Sequence, residues 1–198
     1  MKGKLIAIYG VNNIGKTTHA LRLTKRLRQD GYRAVYVKYP VYSLRPTGVF
    51  LNKILRGSRG NKQSMSEEEL QMWFTLNRYQ FESKLREMLE RGVIVVAEDY
   101  TGTGIGWGMT KGAKREWLEE INRGLLREDF AILMEGKRAV KSREASHIHE
   151  SDDILIARAE KNFSKLAALY RWKRIKVQKT KQDTAEAIYL VVRKFLTA

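Results

Sequence analysis

Residues 4–18 read KLIAIYGVNNIGKTT, an apolar run that passes directly into a glycine-rich loop. An apolar run of this length that ends in glycine is typical of a β-strand buried on both faces of a parallel sheet. The next segment, KTTHALRLTKRLRQDG, has apolar residues at the spacing of one helical face and ends at Gly31, so it predicts a helix. The chain therefore opens with a strand, a glycine loop and a helix.

The loop Gly10-Val-Asn-Asn-Ile-Gly15-Lys16-Thr17 matches the pattern G-x-x-x-x-G-K-[ST] in full. Glycines let backbone N–H groups turn toward a phosphate, and the N-terminus of the following helix adds a favourable dipole. In this pattern the lysine reaches the β- and γ-phosphates, and the Thr17 hydroxyl is offered to Mg²⁺. The motif therefore predicts a site for ATP and Mg²⁺. The predicted donor-binding residues of the loop are Gly10, Asn13, Gly15, Lys16, Thr17 and Thr18.

Strands and helices alternate along the rest of the chain. Further strands are predicted at RAVYVKYP, VIVVAEDY, DFAILMEG and RIKVQKT. VIVVAEDY is almost wholly apolar and ends in two carboxylates, so we expect it to be the central strand, and the glycine-rich TGTGIGWGMTKGAK after it to be a loop. The alternation predicts a three-layer α/β fold, a five-stranded parallel sheet flanked by helices, with ligands at the carboxyl ends of the strands.

The length of the chain, 198 residues, is that of one domain, so we expect residues 1–198 to fold as a single unit. Ser66, with Glu69 three residues later, opens the strongest predicted helix, and Gly92 closes it. The polar and charge-dense stretch 136–153 follows a predicted strand, and we expect it to form a short lid within the domain.

Lysine and arginine outnumber aspartate and glutamate by 38 to 22, which gives a formal net charge of +16. Such a surface attracts anions, and both nucleic acid and phosphorylated small molecules fit that charge. The chain has no cysteine, which excludes disulfides and thiolate metal sites. The apolar start is too short for a signal peptide, and no stretch approaches the roughly 18 apolar residues of a membrane span. We therefore expect a cytoplasmic protein without a membrane partner.

Two further segments narrow the function beyond phosphate binding. Phe74-Thr-Leu-Asn-Arg78, in the long predicted helix, looks like the F-x-x-N-R/D-R segment of the thymidylate kinases, a family of P-loop nucleoside monophosphate kinases. The stretch from Glu98 to Trp107, EDYTGTGIGW, is similar in layout to the D-R-Y-x-x-S-x-x-A-[YF] segment of that family. The resemblance spans nearly the whole chain. It implies the P-loop NTPase fold, ATP- and Mg²⁺-dependent phosphorylation of dTMP, and a homodimer.

The resemblance also assigns roles to residues. It implies that Phe74 stacks on the thymine, that Arg78 hydrogen-bonds a base carbonyl, and that Glu98 works near the Mg²⁺ and the transferred phosphoryl group. Trp107 stands where an aromatic ring walls off the 2′ position of the sugar, and Thr103 helps to shape the acceptor pocket. The substrate-binding residues predicted in this way are Lys38, Arg45, Phe74, Arg78, Asp99, Tyr100, Thr103, Gly104 and Trp107.

Asp99 departs from the family pattern, which has at this position an arginine that grips the acceptor phosphate. An aspartate turns that attraction into repulsion, at a cost on the order of 1–4 kcal/mol near a separation of about 4 Å. Lys38 and Arg45 are the candidates that compensate for the lost charge. Asn12 and Asn13 replace charged residues that many relatives carry in the phosphate loop, so the catalytic arginine has to come from elsewhere.

The predicted lid offers this arginine. Arg138, Lys141 and Arg143 follow the fourth predicted strand, in the region where some relatives supply an arginine that neutralises charge during phosphoryl transfer. We expect Arg143 to close on the donor and to act in catalysis with Lys16 and Glu98, while Arg138 and Lys141 bind the donor. A charge run of this kind is also typical of a solvated surface.

The sequence thus favours a kinase that transfers a phosphoryl group from ATP to dTMP. Asp99 keeps open a deoxynucleoside kinase, because an uncharged 5′-hydroxyl would suit an acidic site better than a phosphate. The substitutions at Asn12, Asn13 and Asp99 also keep open a catalytically weakened nucleotide-binding module that holds nucleic acid or a partner protein. We expect a small nucleotide rather than nucleic acid as the partner.

Overall fold

A five-stranded sheet runs through the middle of the structure, a computed structural model that describes residues 2–56, 65–136 and 153–197. The strands are β1 (Leu5–Tyr9), β2 (Ala34–Lys38), β3 (Ile94–Glu98), β4 (Phe130–Glu135) and β5 (Lys173–Lys176). All four neighbouring pairs are parallel, and their order is β2-β3-β1-β4-β5. The expectation that residues 93–100 form the central strand is wrong. β1 is the central strand. Because β1 and β3 are both buried at every position, their apolar content could not show which of the two lies in the middle of the sheet.

Helices flank both faces of this sheet. They are α1 (Lys16–Gln29), α2 (Thr47–Arg56), α3 (Glu67–Glu90), α4 (Thr101–Thr110), α5 (Arg115–Asn122), α6 (Asp153–Leu169) and α7 (Lys181–Thr197). Helices α1 and α7 pack against each other in one layer, and α4 packs against α3, α5 and α6 in the other. This confirms the predicted three-layer α/β fold. None of the helices in the described residues has the length and apolar content needed to cross a membrane.

Helix α3 is the longest helix in the described part of the chain and begins as its sequence predicts. The Ser66 hydroxyl accepts a hydrogen bond from the Glu69 backbone N–H at 3.1 Å, and the Glu69 carboxylate accepts one from the Ser66 N–H at 2.7 Å. This reciprocal pair satisfies two donors at the helix start that would otherwise lack partners. The helix then continues for 24 residues, long enough to carry the Phe74–Arg78 segment along the side of the site.

Helix α4 corrects the expectation that residues 101–114 form a loop. Its glycines allow neighbouring side chains to approach its backbone. A Cβ atom at Gly102 would lie 2.6 Å from the Trp172 ring, and one at Gly106 would lie 2.8 Å from the Phe163 ring. Each glycine weakens a helix by about 1 kcal/mol relative to alanine, but tertiary packing supplies most helical stability in proteins. Close packing on two sides therefore holds a helix that local propensity alone disfavours.

The strand register brings charged residues together at one edge of the sheet. Glu98 pairs in register with Lys38 on β2 and with Ile8 on β1, and the phosphate-loop motif begins directly after β1 at Gly10. Because the carboxyl ends of parallel strands meet at one edge, the motif and the Glu98 carboxylate are neighbours despite their separation in sequence.

The packing around α4 predicts the effect of a single added methyl group. We expect Gly106→Ala to lower the free energy of unfolding by about 1–2 kcal/mol, because overpacking against the buried Phe163 ring outweighs the better helix propensity of alanine. Urea denaturation followed by circular dichroism measures the change. Lys25→Ala, at an exposed position of α1, is the control and should leave stability nearly unchanged. Equal stability of Gly106→Ala and the unmodified protein would contradict the packing account.

Candidate active site

The loop between β1 and α1 has the backbone conformation that its motif predicts. Gly10 (φ 146°), Asn13 (φ 63°) and Gly15 (φ 101°) have positive φ angles, which glycine adopts freely and asparagine tolerates. A Cβ atom at Gly10 would also lie 2.9 Å from the backbone oxygen of Met134. Glycine is therefore required at Gly10 for two reasons, conformation and space. The loop passes directly into the N-terminus of α1, as a phosphate-binding loop does.

Lys16 is 6% exposed and held at the mouth of this loop. Its ammonium group donates hydrogen bonds to the backbone oxygens of Gly10 at 2.8 Å and Val11 at 3.0 Å. The Asn13 side-chain amide nitrogen is buried and has no hydrogen-bond partner in the described residues. An ammonium group, an amide donor with free capacity and a helix N-terminus form a donor set that fits an anion such as the phosphates of a nucleotide.

Glu98 places a buried carboxylate beside the loop. One oxygen accepts a hydrogen bond from the Thr17 hydroxyl at 2.7 Å and lies 3.1 Å from the Lys38 ammonium, and the other accepts one from the Tyr36 hydroxyl. Burial opposes ionisation, but Lys38 and the hydroxyl groups of Tyr36 and Thr17 outweigh it and hold the pKa of Glu98 below its ordinary value. Glu98 is therefore ionised at neutral pH.

The Thr17 hydroxyl and the Glu98 carboxylate are the groups here that could hold Mg²⁺. Both offer oxygen, which Mg²⁺ prefers, and Mg²⁺ commonly uses one or two protein ligands together with substrate phosphates and water. The described residues contain no cluster of three or more histidine, cysteine, aspartate or glutamate side chains that could hold a metal by themselves. The side chains present fit a shared, phosphate-dependent Mg²⁺ site better than a closed protein site.

Asp99 also reaches this region. Its backbone has a φ of 62°, its carboxylate accepts a hydrogen bond from the Thr103 hydroxyl at 2.8 Å, and the Lys16 ammonium lies 3.6 Å away. Burial and the neighbouring charge of Glu98 raise the pKa of Asp99, although Lys16 and the Thr103 hydroxyl act in the opposite direction. The two adjacent carboxyl groups therefore shift in opposite directions, because Glu98 has the better set of partners.

A cavity of about 600 Å³ joins these groups to α3 and α4. A volume of this size accommodates a nucleotide-sized ligand. The predicted site residues that line it are Asn13, Gly15, Lys16, Thr17, Thr18, Lys38, Phe74, Arg78, Glu98, Asp99, Thr103, Gly104 and Trp107. The structure thus brings together, in one cavity, the phosphate loop and the two segments that are distant from it in sequence.

Other predicted site residues lie elsewhere. Gly10 lies beneath the loop, against Met134. Arg45 is exposed and absent from the cavity lining, and its backbone oxygen accepts a hydrogen bond from the Gln80 side chain. Tyr100 is fully buried and donates from its hydroxyl to the Leu126 backbone oxygen at 3.0 Å, behind the cavity wall. The predicted lid residues Arg138, Lys141 and Arg143 lie outside the described residues.

Arg78 forms the polar end of the cavity, beside Phe74. Its guanidinium is 4% exposed and donates to the Asn122 side chain at 2.9 Å and to the Thr75 hydroxyl at 3.2 Å, while Nε has no partner in the described residues. A side chain at Gly104 would collide with this guanidinium. Glycine at position 104 therefore makes room for Arg78, and the buried Nε keeps one donor available.

The cavity is also lined by residues that the sequence did not predict as site residues. Tyr42 and Arg56 line one wall, and Gln71, Lys111 and Glu67 line the other end, where Lys111 and Glu67 form an ion pair at 2.8 Å. Gln71 could have been found, because it lies three residues before Phe74 on the same face of a predicted helix. No local pattern marks Arg56, since only the packing of α2 brings it to the cavity.

Comparison with known proteins gives one consistent family. The family model described as Thymidylate kinase matches residues 8–188. The chain is 27% identical over 144 residues to the thymidylate kinase of African swine fever virus. The aligned region covers 72% of this chain but only 55% of that protein. The chain is 24% identical over 150 residues to the thymidylate kinase of Homo sapiens, covering 75% of this chain and 68% of that protein. The solved thymidylate kinase of Candida albicans shares the fold, with a TM-score of 0.81, 18% identity and coverage of 98% of this chain and 92% of that one.

The geometry of the loop predicts that Lys16 carries much of the anion affinity. Removing its charge-assisted hydrogen bonds in Lys16→Ala should weaken the binding of inorganic triphosphate with Mg²⁺ by about tenfold or more. Isothermal titration calorimetry measures the affinity, and circular dichroism checks the fold. Lys25→Ala removes the same charge from an exposed position of α1 and should bind triphosphate normally. If both variants lose affinity equally, the loop is not the anion site.

Proposed function

Because the chain belongs to the thymidylate kinase family, we propose that it transfers the γ-phosphoryl group of ATP to dTMP and produces dTDP. One observation carries this proposal. Lys16 of the phosphate loop and Phe74 of α3 line the same cavity, so a donor phosphate and an acceptor base can occupy it together. Phosphoryl transfer requires this shared space, because the attacking and leaving oxygens must lie nearly in line.

On the donor side, Lys16 and the amides of the phosphate loop bind the β- and γ-phosphates. Thr17 and Glu98 hold Mg²⁺, which when bound neutralises charge on the phosphate oxygens. The hydrogen bond between Thr17 and Glu98 supports this assignment, since it already aligns the two oxygen ligands. Lys38, paired with Glu98, keeps that carboxylate ionised and available.

On the acceptor side, Phe74 and Arg78 bind the base, and Trp107 and Thr103 line the space for the sugar. The Nε of Arg78, which has no hydrogen-bond partner in the described residues, supports a polar contact with the base, because a buried donor without a partner is costly unless a ligand satisfies it. The Trp107 ring packs edge-on against Phe163, with ring centres 6.4 Å apart, which holds the wall of the cavity in place.

Closure over the donor is assigned to the segment 136–153. In this proposal Arg143 stabilises the charge of the transferred phosphoryl group, and Arg138 and Lys141 bind the donor, as the family resemblance implies. All three lie outside the described residues. Such closure would exclude water, which otherwise competes with the acceptor for the phosphoryl group.

The two alternative functions are less favoured. Repulsion between Asp99 and an acceptor phosphate would favour a deoxynucleoside kinase, but the Asp99 carboxylate is matched by Lys16 and Thr103. Asn12 and Asn13 would favour a weakened binding module, yet the motif lysine and the Thr17–Glu98 pair are intact. The cytoplasmic location and the absence of a nucleic-acid partner stay predictions.

We also propose that the chain forms a homodimer through α3. Met72, Leu76 and Tyr79 lie on one face of this helix and are 52%, 49% and 41% exposed. Apolar residues at this helical spacing that face solvent together are typical of an interface between helices. A second copy of the chain would bury the same face of its own α3, as a two-fold dimer requires.

The proposed reaction can be tested by comparing acceptors. A coupled assay for ADP should show turnover with dTMP and at least tenfold slower turnover with thymidine at equal concentration, because only dTMP offers a phosphate acceptor. Glu98→Gln should lower kcat by about 100-fold, since it removes the negative charge beside Thr17. Glu87→Gln, an exposed change on α3, is the control and should keep full activity. Turnover with thymidine alone would contradict the proposal.

The proposed dimer can be tested separately. We expect Leu76→Arg to give a monomer of about 23.0 kDa in size-exclusion chromatography with light scattering, because it buries a charge in the interface. Leu190→Arg alters a leucine of α7 that is 53% exposed and should leave the dimer intact. A dimer that persists in Leu76→Arg, or dissociates only in Leu190→Arg, would place the interface elsewhere.

A further inference from the structure

The acceptor phosphate of the proposed reaction meets an electrostatic problem in this cavity. A 5′-monophosphate carries close to two negative charges at neutral pH. The carboxylates of Glu98 and Asp99 lie at the same end of the cavity. Lys38 is 3.1 Å from Glu98 and Lys16 is 3.6 Å from Asp99, so each of these cations already faces a carboxylate. A further positive group is needed to bind the phosphate.

Most other cations that line the cavity are committed elsewhere. Lys111 forms its ion pair with Glu67 at 2.8 Å. Arg78 is buried at the Phe74 end, where it donates to Asn122 and Thr75. Lys181 begins α7 beside α1, on the donor side of the loop. Arg56, like Lys181, lines the cavity without an ion pair to a carboxylate of the described residues, but it lies on α2 beside Tyr42 rather than at the start of α7.

Arg56 is held in place from two directions. It is the last residue of α2, and the preceding turn is anchored by Leu51 and Leu55, which are 0% and 6% exposed. Its guanidinium carbon lies 5.0 Å from the centre of the Tyr42 ring, which is the geometry of a cation–π contact. The ring therefore restricts the guanidinium to the cavity wall that Tyr42 and Arg56 share.

Tyr42 in turn lines the same cavity as Lys38 and Asp99. Burial raises the pKa of its hydroxyl, the positive charges of Arg56 and Lys38 and a hydrogen bond with Arg56 oppose this rise, and the negative charge of Asp99 adds to it. Arg56, Tyr42 and Lys38 line the cavity together with Glu98 and Asp99, and the Lys38 ammonium lies 3.1 Å from the Glu98 carboxylate.

We propose that Arg56 binds the 5′-phosphate of the acceptor nucleotide and that Tyr42 is the residue that positions its guanidinium. This inference rests on the proposed function, because it requires a monophosphate acceptor. It identifies α2 as the source of the positive charge that Asp99 cannot supply. It also predicts selectivity for a nucleotide over a nucleoside, since an uncharged 5′-hydroxyl offers no negative charge for Arg56 to pair with.

Binding measurements with two ligands isolate the role of Arg56. Isothermal titration calorimetry with dTMP should show about tenfold weaker binding to Arg56→Met than to the unmodified protein, the range expected for one charge-assisted contact. Binding of thymidine, which has the same base and sugar but no phosphate, should be unchanged. Lys53→Met removes a positive charge from an exposed position of α2 that does not line the cavity, and it should bind both ligands normally.

Variants of Tyr42 test the positioning role. Tyr42→Phe keeps the aromatic ring but loses the hydrogen bond between the Tyr42 hydroxyl and Arg56, so it should weaken dTMP binding less than Tyr42→Leu does. Tyr42→Leu removes the ring face and should weaken dTMP binding by about three- to tenfold, with thymidine binding unchanged. In Arg56→Met the further change Tyr42→Leu should have little additional effect, because the group that the ring positions is already absent.

Each outcome decides a separate point. Normal dTMP binding by Arg56→Met overturns the inference, and so does an equal loss of dTMP and thymidine binding, which indicates a change in cavity shape. If Arg56→Met selectively loses dTMP binding and the unmodified protein shows no turnover, the role of Arg56 is supported while the proposed kinase activity is contradicted. Failure of the unmodified protein to bind dTMP contradicts both.

Discussion

The buried Glu98 carboxylate is the interaction on which the geometry of the site depends. A carboxylate that is 2% exposed is strongly unfavourable unless hydrogen bonds and a cation compensate for lost water. Thr17 at the start of α1, together with Tyr36 and Lys38 on β2, provides this compensation. These partners come from separate elements, so keeping Glu98 ionised also fixes where the phosphate loop and β2 lie relative to β3.

Local charge in the cavity differs from the charge of the whole chain. The protein has a formal net charge of +16, but the lysines beside the phosphate loop each face a carboxylate, Lys16 with Asp99 and Lys38 with Glu98. Long-range attraction of a nucleotide therefore comes from the surface as a whole. The proposed binding of the acceptor phosphate depends instead on a cation without a carboxylate partner, and among the described residues of the cavity wall beside Tyr42 that cation is Arg56.

Helix α4 connects packing to the site. Glycine at position 106 lets the Phe163 ring lie against its backbone, and glycine at position 104 leaves room for the Arg78 guanidinium. Trp107 and Thr103, on the same short helix, face the cavity. A helix of larger residues would keep α3 and α6 farther apart, and Arg78 and Trp107 could not line the same space. The small residues that weaken this helix locally are therefore what allows it to build the acceptor side.

The sequence by itself determined the alternation of strands and helices, the capping of α3 at Ser66, and the phosphate loop with Lys16 and Thr17, because each is a local pattern of spacing and residue type. It also pointed to Glu98 and Arg78 through a family resemblance. Only the tertiary structure decided that β1 is central, that residues 101–110 are helical, that Tyr100 is turned into the core, and that Arg56 reaches the cavity beside Tyr42. Each of these depends on contacts between segments far apart in the chain. The free energy of such contacts outweighs local propensity, and the contacts produce no periodic pattern in the sequence from which they could be predicted.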